Sequence, residues 1–325
     1  MRDHKFLQFV FFCQWRDLKT YANRKGIGII GDMPLYVAHD SADVWVEPEL
    51  FGVSRTGQLS LVAGCPPDAV LKSGQRWGNP VYDWPRHRAT GFRWWLERIG
   101  AGLRLYDYLR IDHFIGLTRY WAIPHRHRTA ARGHWCRAFG AELLAEARQR
   151  FGTLPLIAED LGPSTPSAVV LRERYELPGM RILQYSFSSP DPSWRPTIYP
   201  VNCVAYTGTH DNDTLLGWWR RASPQERETA RACLGLKRAP RNWDFLELLW
   251  RSPARFVIAP LQDILNLGSE ARMNTFGVTS GNWRWRCRRQ QLTRARAGRL
   301  RSLTARRGRS GSRPARTGDF QLRLP

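Results

Sequence analysis

The strongest constraint on how this chain can fold is an alternation. Short apolar runs of five to seven residues recur, and most end in polar or acidic side chains: Gly28–Asp32, Tyr108–Asp112, Leu154–Asp160, Arg181–Phe187, Asn202–Thr207 and Ala254–Ala259. Helical periodicity fills the spaces, over residues 3–24, 92–105, 137–151, 166–176, 224–235 and 242–252. Near-continuous apolar strands alternating with helices predict an α/β fold with a parallel sheet covered by helices. Polar groups at the strand C-termini are where a (β/α)₈ TIM barrel assembles its active site. An open doubly wound sheet is the rival topology, but no Gly-rich phosphate turn follows any of the strands. Six strands can be counted, against the eight of a closed barrel.

Between the first two strands lies a long insertion, residues 35–90, rich in Pro, Gly, Asp and Trp. Structureless stretches of such length inside a compact domain are usually lids or binding loops. Residues 1–307 are therefore read as a partial catalytic barrel that includes this insertion. The remainder, 308–325, is read as a disordered basic tail.

A composition of 42% hydrophobic and 12% aromatic residues supports a globular core. The net charge of +22 invites a polyanion-binding role, yet residues 284–325 alone hold fourteen Arg and one acid, Asp319. Only five of the 50 basic residues are Lys, and no nucleic-acid motif accompanies the tail, so a nucleic-acid partner ranks last. The six cysteines show no C-x-x-C pair and are read as buried, reduced thiols of a cytoplasmic protein. His39, Asp40, Asp43 and His113 are ligand-type residues without metal spacing, so no metal site is expected. No apolar stretch is long enough to cross a bilayer. Phe6, Leu7, Val10, Phe11, Trp15, Leu18 and Tyr21 fall on one helical face, which predicts a buried helix rather than a targeting signal.

The chemistry-bearing residues sit at strand ends. Arg110 and Asp112 are two apart on a strand and point to one face. A guanidinium beside a carboxylate favours the ionised form and keeps it available as a nucleophile. Glu159 ends the next strand, and mutual repulsion of two such acids would make one a general acid. Retaining glycoside chemistry needs a carboxyl pair of this kind, roughly 5–5.5 Å apart. Asp211, after His210 in Thr-His-Asp-Asn-Asp, is a third acid able to hold sugar hydroxyls. The same acids could equally serve as ion-pair partners at strand ends. His210 alone reads as a hydrogen-bonded core histidine, and the tryptophans of 35–95 as packing more readily than as a sugar platform.

Read as strings, several segments resemble glycoside hydrolase family 77, the 4-α-glucanotransferases (amylomaltases, or disproportionating enzymes). They are IGDMPLYVAHDSADVW (30–45), GCPPDAVLKSGQRWGNPVYDW (64–84), LRIDHFIGLTRYWAIP (109–124), PLIAEDLG (155–162), LPGMRILQYSF (177–187), YTGTHDNDTLLGWW (206–219) and APLQDILNLGSEARMN (259–274). These blocks fall in the family's order over roughly residues 5–305. The resemblance implies that Asp112 is the nucleophile, Glu159 the general acid/base and Asp211 the acid that stabilises the transition state. Arg110, His210 and Trp77 are implied substrate-binding partners, and Asp32 a weaker one.

The implied reaction moves an α-1,4-glucan segment onto the 4-hydroxyl of glucose or a maltooligosaccharide by two displacements, without metal or organic cofactor. Transfer beats hydrolysis if the 35–90 segment keeps water from the intermediate. The resemblance also implies two further βα units ahead of the first helix, so an incomplete, N-terminally truncated barrel is expected. A remnant that at most binds α-glucan is the alternative. Phe139, Phe276, Arg76 and Cys65 differ from the family's usual residues, as do the arginines of the last helical stretch, 291–309.

Overall fold

Leu109–Ile111 and Leu156–Ala158 are buried throughout, and a strand of that kind is stable only when both faces are covered. The computed structural model, which describes residues 2–68, 72–162, 166–278 and 280–309, covers them with helices. The chain divides into two compact units, one running to Leu177 and one beginning at Pro178.

In the first unit the elements run α1 (Arg2–Arg24), β1 (Ile30–Met33), α2 (Ala42–Val46), β2 (Leu61–Cys65), β3 (Gln75–Pro80), α3 (Trp84–Ala89) and α4 (Arg93–Leu105). They continue with β4 (Tyr108–Ile111), β5 (Arg119–Pro124), β6 (His134–Arg137), α5 (Gly140–Phe151), β7 (Leu156–Ala158) and α6 (Pro166–Arg174). Strands β1, β4 and β7 form a parallel sheet in that order, with Asp32 opposite Arg110 and Arg110 opposite Ile157. Helix α4 packs on β1, β4 and α5, burying Trp95, Ile99 and Leu103 together with Leu143, Leu144 and Ala147 of α5. Gly31 is required by this packing, because a Cβ there would lie 2.0 Å from the Tyr106 ring.

The 35–90 insertion is more ordered than a lid. Its strands β2 and β3 join β5 and β6 in an antiparallel sheet of order β3-β2-β5-β6. Beside it, Tyr36, Phe51, Tyr82, Trp84, His87, Trp94 and Trp95 stack into one aromatic core. Most of the tryptophans in this region are thus packing residues. Strands β5 and β6 are additions to the sequence reading, and the helix expected from residue 137 starts at Gly140. Residues 134–137 are captured as a strand by Trp121 and Tyr120, which pair with Trp135 and Cys136.

Helix α1 corrects the expectation of burial. None of its residues is buried, and Phe6, Leu7, Phe9, Phe11, Phe12, Leu18 and Tyr21 are each more than half exposed. Among the described residues, the side-chain hydrogen bonds from this helix to the rest of the unit come from its C-terminal half. Trp15 Nε1 donates to Leu105 O at 2.9 Å, Lys19 reaches Tyr106 O at 3.1 Å, and Asn23 donates to Asp107 Oδ2 at 2.9 Å. A periodic apolar face therefore forms, but these contacts engage only one edge of it. Of the cysteines, all free, only Cys203 is buried; the other five are half-buried, against the expectation.

The second unit holds β8 (Gly179–Ile182), β9 (Cys203–Tyr206), α7 (Leu215–Arg221), α8 (Pro224–Leu234), α9 (Asn242–Arg251), β10 (Phe256–Ile258), α10 (Leu261–Ile264) and α11 (Arg294–Arg306). Its parallel sheet has the order β10-β9-β8, with Ile182 opposite Tyr206 and Tyr206 opposite Ile258. The six strands read from the sequence are therefore present as two three-stranded parallel sheets. The run expected to extend to Phe187 stops at Ile182, and Leu183–Phe187 coils into a 3₁₀ turn that buries Gln184 beneath Asp213. Several tail arginines are consumed in packing α11. Arg299 lies 4.1 Å from the Trp243 ring centre, Arg306 and Arg307 meet Glu247, and Arg309 donates to Ala254 O at 2.8 Å. The expected disordered tail falls, from residue 310 onward, outside the described residues.

Gly31→Ala forces the Tyr106 ring out of its seat and costs about 1–3 kcal/mol, the usual penalty for overpacking. A lowered urea midpoint with unchanged denaturant slope is the expected result; an unchanged midpoint would count against the packing described for β1.

Candidate active site

The first unit gathers five of the seven sequence-predicted site residues at the C-terminal ends of β1, β4 and β7. The parallel register sets Arg110 directly across from Asp32, and the strand pleat puts Asp112 on the same face. Arg110 Nη1 donates to both Asp32 oxygens at 2.7 and 2.6 Å, and Nη2 donates to Asp112 Oδ1 at 2.7 Å. The Arg110 side chain is 9% exposed, whereas those of Asp32 and Asp112 are 42% and 43% exposed. The guanidinium is thus pinned inside while both carboxylates face outward. Burial opposes its charge, but Asp112 and Asp32 outweigh that and hold its proton more tightly than in water.

Glu159 follows β7. Its Oε2 accepts the His113 N–H at 2.8 Å and its Oε1 the Leu161 N–H at 2.9 Å. Its main chain is fixed as well, by Glu159 N–H to Ile111 O and Phe114 N–H to Glu159 O, both at 3.0 Å. The carboxyl is pushed up to about 7, first by burial and then by the charge of Asp112. Arg110 and the two amide donors pull in the other direction without cancelling the rise. Near neutral pH, Glu159 is therefore poised between acid and base.

His113 supplies one of the two amides that hold Glu159 in place. It adopts a left-handed backbone, φ 51°, which turns its amide toward Glu159. Burial pushes its ring down to about 4, so the imidazole is neutral. The ring meets Trp77 edge to face, centroids 4.8 Å apart, and the Tyr36 ring lies 6.0 Å from the same indole. Trp77 is 37% exposed and donates Nε1–H to Gln75 Oε1 at 3.1 Å. The Cys65 thiol is pushed up to about 12 by burial and by the charges of Glu159, Asp68 and Asp112, and stays a neutral neighbour of the carboxylates.

His210 and Asp211 lie in the second unit, on the loop after β9. Asp211 Oδ2 faces His210 Nε2 at 3.2 Å, and Asn274 Nδ2 donates to Asp211 Oδ1 at 2.7 Å. Arg272 donates to the Asp211 carbonyl at 2.7 Å, and the His210 ring lies 5.2 Å from the Trp283 ring. His210 is thus no enclosed core histidine. It flanks an acid that is itself held by a third side chain.

Residue types marked His113 only as a metal-ligand type and gave no sign of Asn274, Arg272 or Trp283. Asn274 closes a sequence block already noted, but the amides of His113 and Leu161 carry no side-chain signal. The metal-type residues have other partners: His39 Nε2 contacts Gly57 O at 2.9 Å and Asp43 accepts from Trp94 at 3.1 Å. Among the described residues, no three His, Cys, Asp or Glu side chains converge as metal ligands would.

An outward carboxylate bound to arginine, near a buried acid that follows a parallel strand, is the kind of carboxyl pair that retaining glycoside chemistry uses. The glycoside hydrolase family 77 model, 4-alpha-glucanotransferase, matches residues 1–293. The 4-alpha-glucanotransferases of Synechocystis and Thermus thermophilus are 45% and 44% identical to the chain over 93% and 92% of its length. The amylomaltase of Streptococcus agalactiae, solved in complex with acarbose, is 40% identical and superposes over 95% of the chain with a TM-score of 0.91. The amylomaltase of Corynebacterium glutamicum shares the fold at 21% identity, with a TM-score of 0.70 over 86% of the chain and 45% of its own length. The chain belongs to glycoside hydrolase family 77, the 4-α-glucanotransferases, and has their mixed α/β amylomaltase fold. It spans 61% and 62% of the lengths of the two curated relatives and 63% of the Streptococcus agalactiae chain.

The raised Glu159 titration has a stability consequence with a definite sign. The folded state keeps this proton until about pH 7, whereas the unfolded chain releases it near 4.5. The contribution of Glu159 is therefore fully present below pH 4.5 and is lost as pH rises through 7. Glu159→Gln should gain stability relative to the unsubstituted chain between pH 5 and 8, read as diverging urea midpoints; a constant gap would refute the assignment.

Proposed function

We propose that this chain performs the chemistry of a 4-α-glucanotransferase, moving a segment of an α-1,4-glucan to the 4-hydroxyl of glucose or a maltooligosaccharide. The observation that carries this reading is the division of labour between two neighbouring acids: Asp112, held by Arg110, and Glu159, buried and pushed up to about 7. Asp112 attacks the anomeric carbon while Glu159 protonates the departing glycosidic oxygen. The resulting glucosyl ester on Asp112 is attacked by the acceptor 4-hydroxyl, whose proton passes to Glu159, and Asp112 leaves as carboxylate.

Asp211, with His210 beside it, is assigned to the hydroxyls and developing positive charge of the reacting sugar. Asp32 acts as a weaker substrate contact, and the half-exposed Trp77 offers a face for a sugar ring. The acarbose complex of the related Streptococcus agalactiae amylomaltase supports an α-glucan ligand. The two parallel sheets are read as successive parts of a (β/α)₈ barrel, with the 35–90 segment shielding the intermediate from water. Among the described residues no helix is long and apolar enough to cross a membrane. A cytoplasmic place in glycogen or maltose metabolism completes the proposal.

The test is maltotriose disproportionation by the purified, folded chain. Glucose plus longer oligosaccharides is the expected result, and maltotriose binding without turnover would reject catalysis. Asp112→Asn should lower kcat by about 10³-fold or more, as loss of a nucleophile does. With Glu159 as the acid, kcat should fall about tenfold per pH unit above roughly 7. A rate that stays flat to pH 9 would remove Glu159 from that role.

A further inference from the structure

The loop that carries His210 and Asp211 begins at Thr207 and ends at Leu215, both fully buried. One side chain binds both ends. Asp263, on the short α10 and itself fully buried, accepts the Thr207 hydroxyl on Oδ2 at 2.6 Å and the Leu215 N–H on Oδ1 at 2.7 Å. Its backbone is fixed in turn: Asp263 N–H donates to Pro260 O at 3.0 Å, and Asn242 Nδ2 donates to Asp263 O at 3.0 Å. Thr207 is also held from the sheet, its N–H donating to Ile258 O at 3.2 Å.

Inside the loop the bonds are local or reach other segments. Asn212 Oδ1 accepts from Thr209 N–H at 2.9 Å, Gln184 donates to Asp213 O at 2.7 Å, and Asn274 donates to Asp211 at 2.7 Å. Those contacts shape the turn; at its stems Asp263 takes the Thr207 hydroxyl and the Leu215 amide, beside the Thr207 N–H bond to Ile258 O and the bonds from Ser269 and Arg221 to the Asp213 carboxylate. Burying a carboxylate is costly, and this one is pushed up to about 6, chiefly by burial. A residue that serves only to fill space there would more cheaply be apolar.

We propose that Asp263 is a positioning residue: it clamps both stems of the 207–215 loop and thereby sets where Asp211 stands. The proposal rests on Asp211 acting in glucan transfer. Removing the carboxyl leaves two buried donors without their acceptor, and the stems must part or recruit water. Because misplacing a reacting group by about 1 Å costs on the order of 10²-fold, the effect falls on kcat rather than on affinity.

The test compares Asp263→Ala and Asp263→Asn with the unsubstituted chain by amide hydrogen exchange and by maltotriose kinetics. In Asp263→Ala, exchange at residues 208–214 should rise about tenfold while α8 and α9 keep their protection, and kcat should fall about 10²-fold with KM within about threefold. Asp263→Asn retains an oxygen for Leu215 and an amide for Thr207, so it should restore most of the protection and most of the rate. Unchanged loop exchange in Asp263→Ala, or a rise spread evenly through the unit, overturns the clamp. If Asp263→Ala does not fold, Thr207→Val, which frees one stem, decides: a rise confined to 208–214 supports the clamp, and none rejects it. Should the unsubstituted chain transfer no glucan, the functional reading fails, while the exchange data still judge the clamp.

Discussion

The Arg110 guanidinium is the group on which the arrangement of the first unit's acids depends. It sits on the middle strand of a parallel sheet and binds Asp32 of the neighbouring strand and Asp112 of its own. A planar fork can satisfy two carboxylates in fixed directions, which a flexible ammonium does less well. Its single positive charge faces three acids, Asp32, Asp112 and Glu159. Asp32 and Asp112 take the guanidinium's hydrogen bonds and remain two-fifths exposed. Glu159, more deeply placed and receiving only neutral amide donors, is the acid left holding a proton near neutrality. The asymmetry between Asp112 and Glu159 thus follows first from the burial of Glu159 and then from the charge of Asp112 beside it, with the arginine's hydrogen bonds given to Asp32 and Asp112 instead.

The placement of these acids is maintained by backbone as much as by side chains. His113 holds a left-handed conformation that a residue with a Cβ rarely adopts, and the return is an amide aimed at Glu159. Its ring, kept neutral by burial, props Trp77 over the same strand end. In the second unit, Asp211 is held by Asn274 and by Arg272 through its carbonyl, and its loop is tied at the stems to Asp263. In both units the candidate carboxyl is held by neighbouring side chains or backbone amides.

Much of the fold was legible because its strands are buried on both faces and therefore read as continuous apolar runs. Leu156–Ala158 and Cys203–Tyr206 are cases where hydrophobicity and tertiary role coincide. The reading lost precision where local pattern and final contacts diverge. Leu183–Phe187 alternates apolar and polar residues as a strand can, yet Gln184 bonds the Asp213 carbonyl and the segment coils. Arg137 reads as a helix start, yet pairing of His134–Arg137 with β5 captures it in a strand. Helix α1 shows the complementary case, since its 3.6-residue apolar period forms a helix without defining what covers that face.

From the residues alone came the alternation of strands and helices, the family blocks, and the placement of Asp112, Glu159 and Asp211 after separate strands. Those properties are local: a period, a motif and a position along the chain. Only the tertiary structure decided that Asp32 lies directly across from Arg110, that Glu159 is the acid which keeps its proton, and that Asp263 reaches both stems of the 207–215 loop. Each of these depends on register, burial and the direction of backbone amides, which arise from contacts between segments distant in the chain.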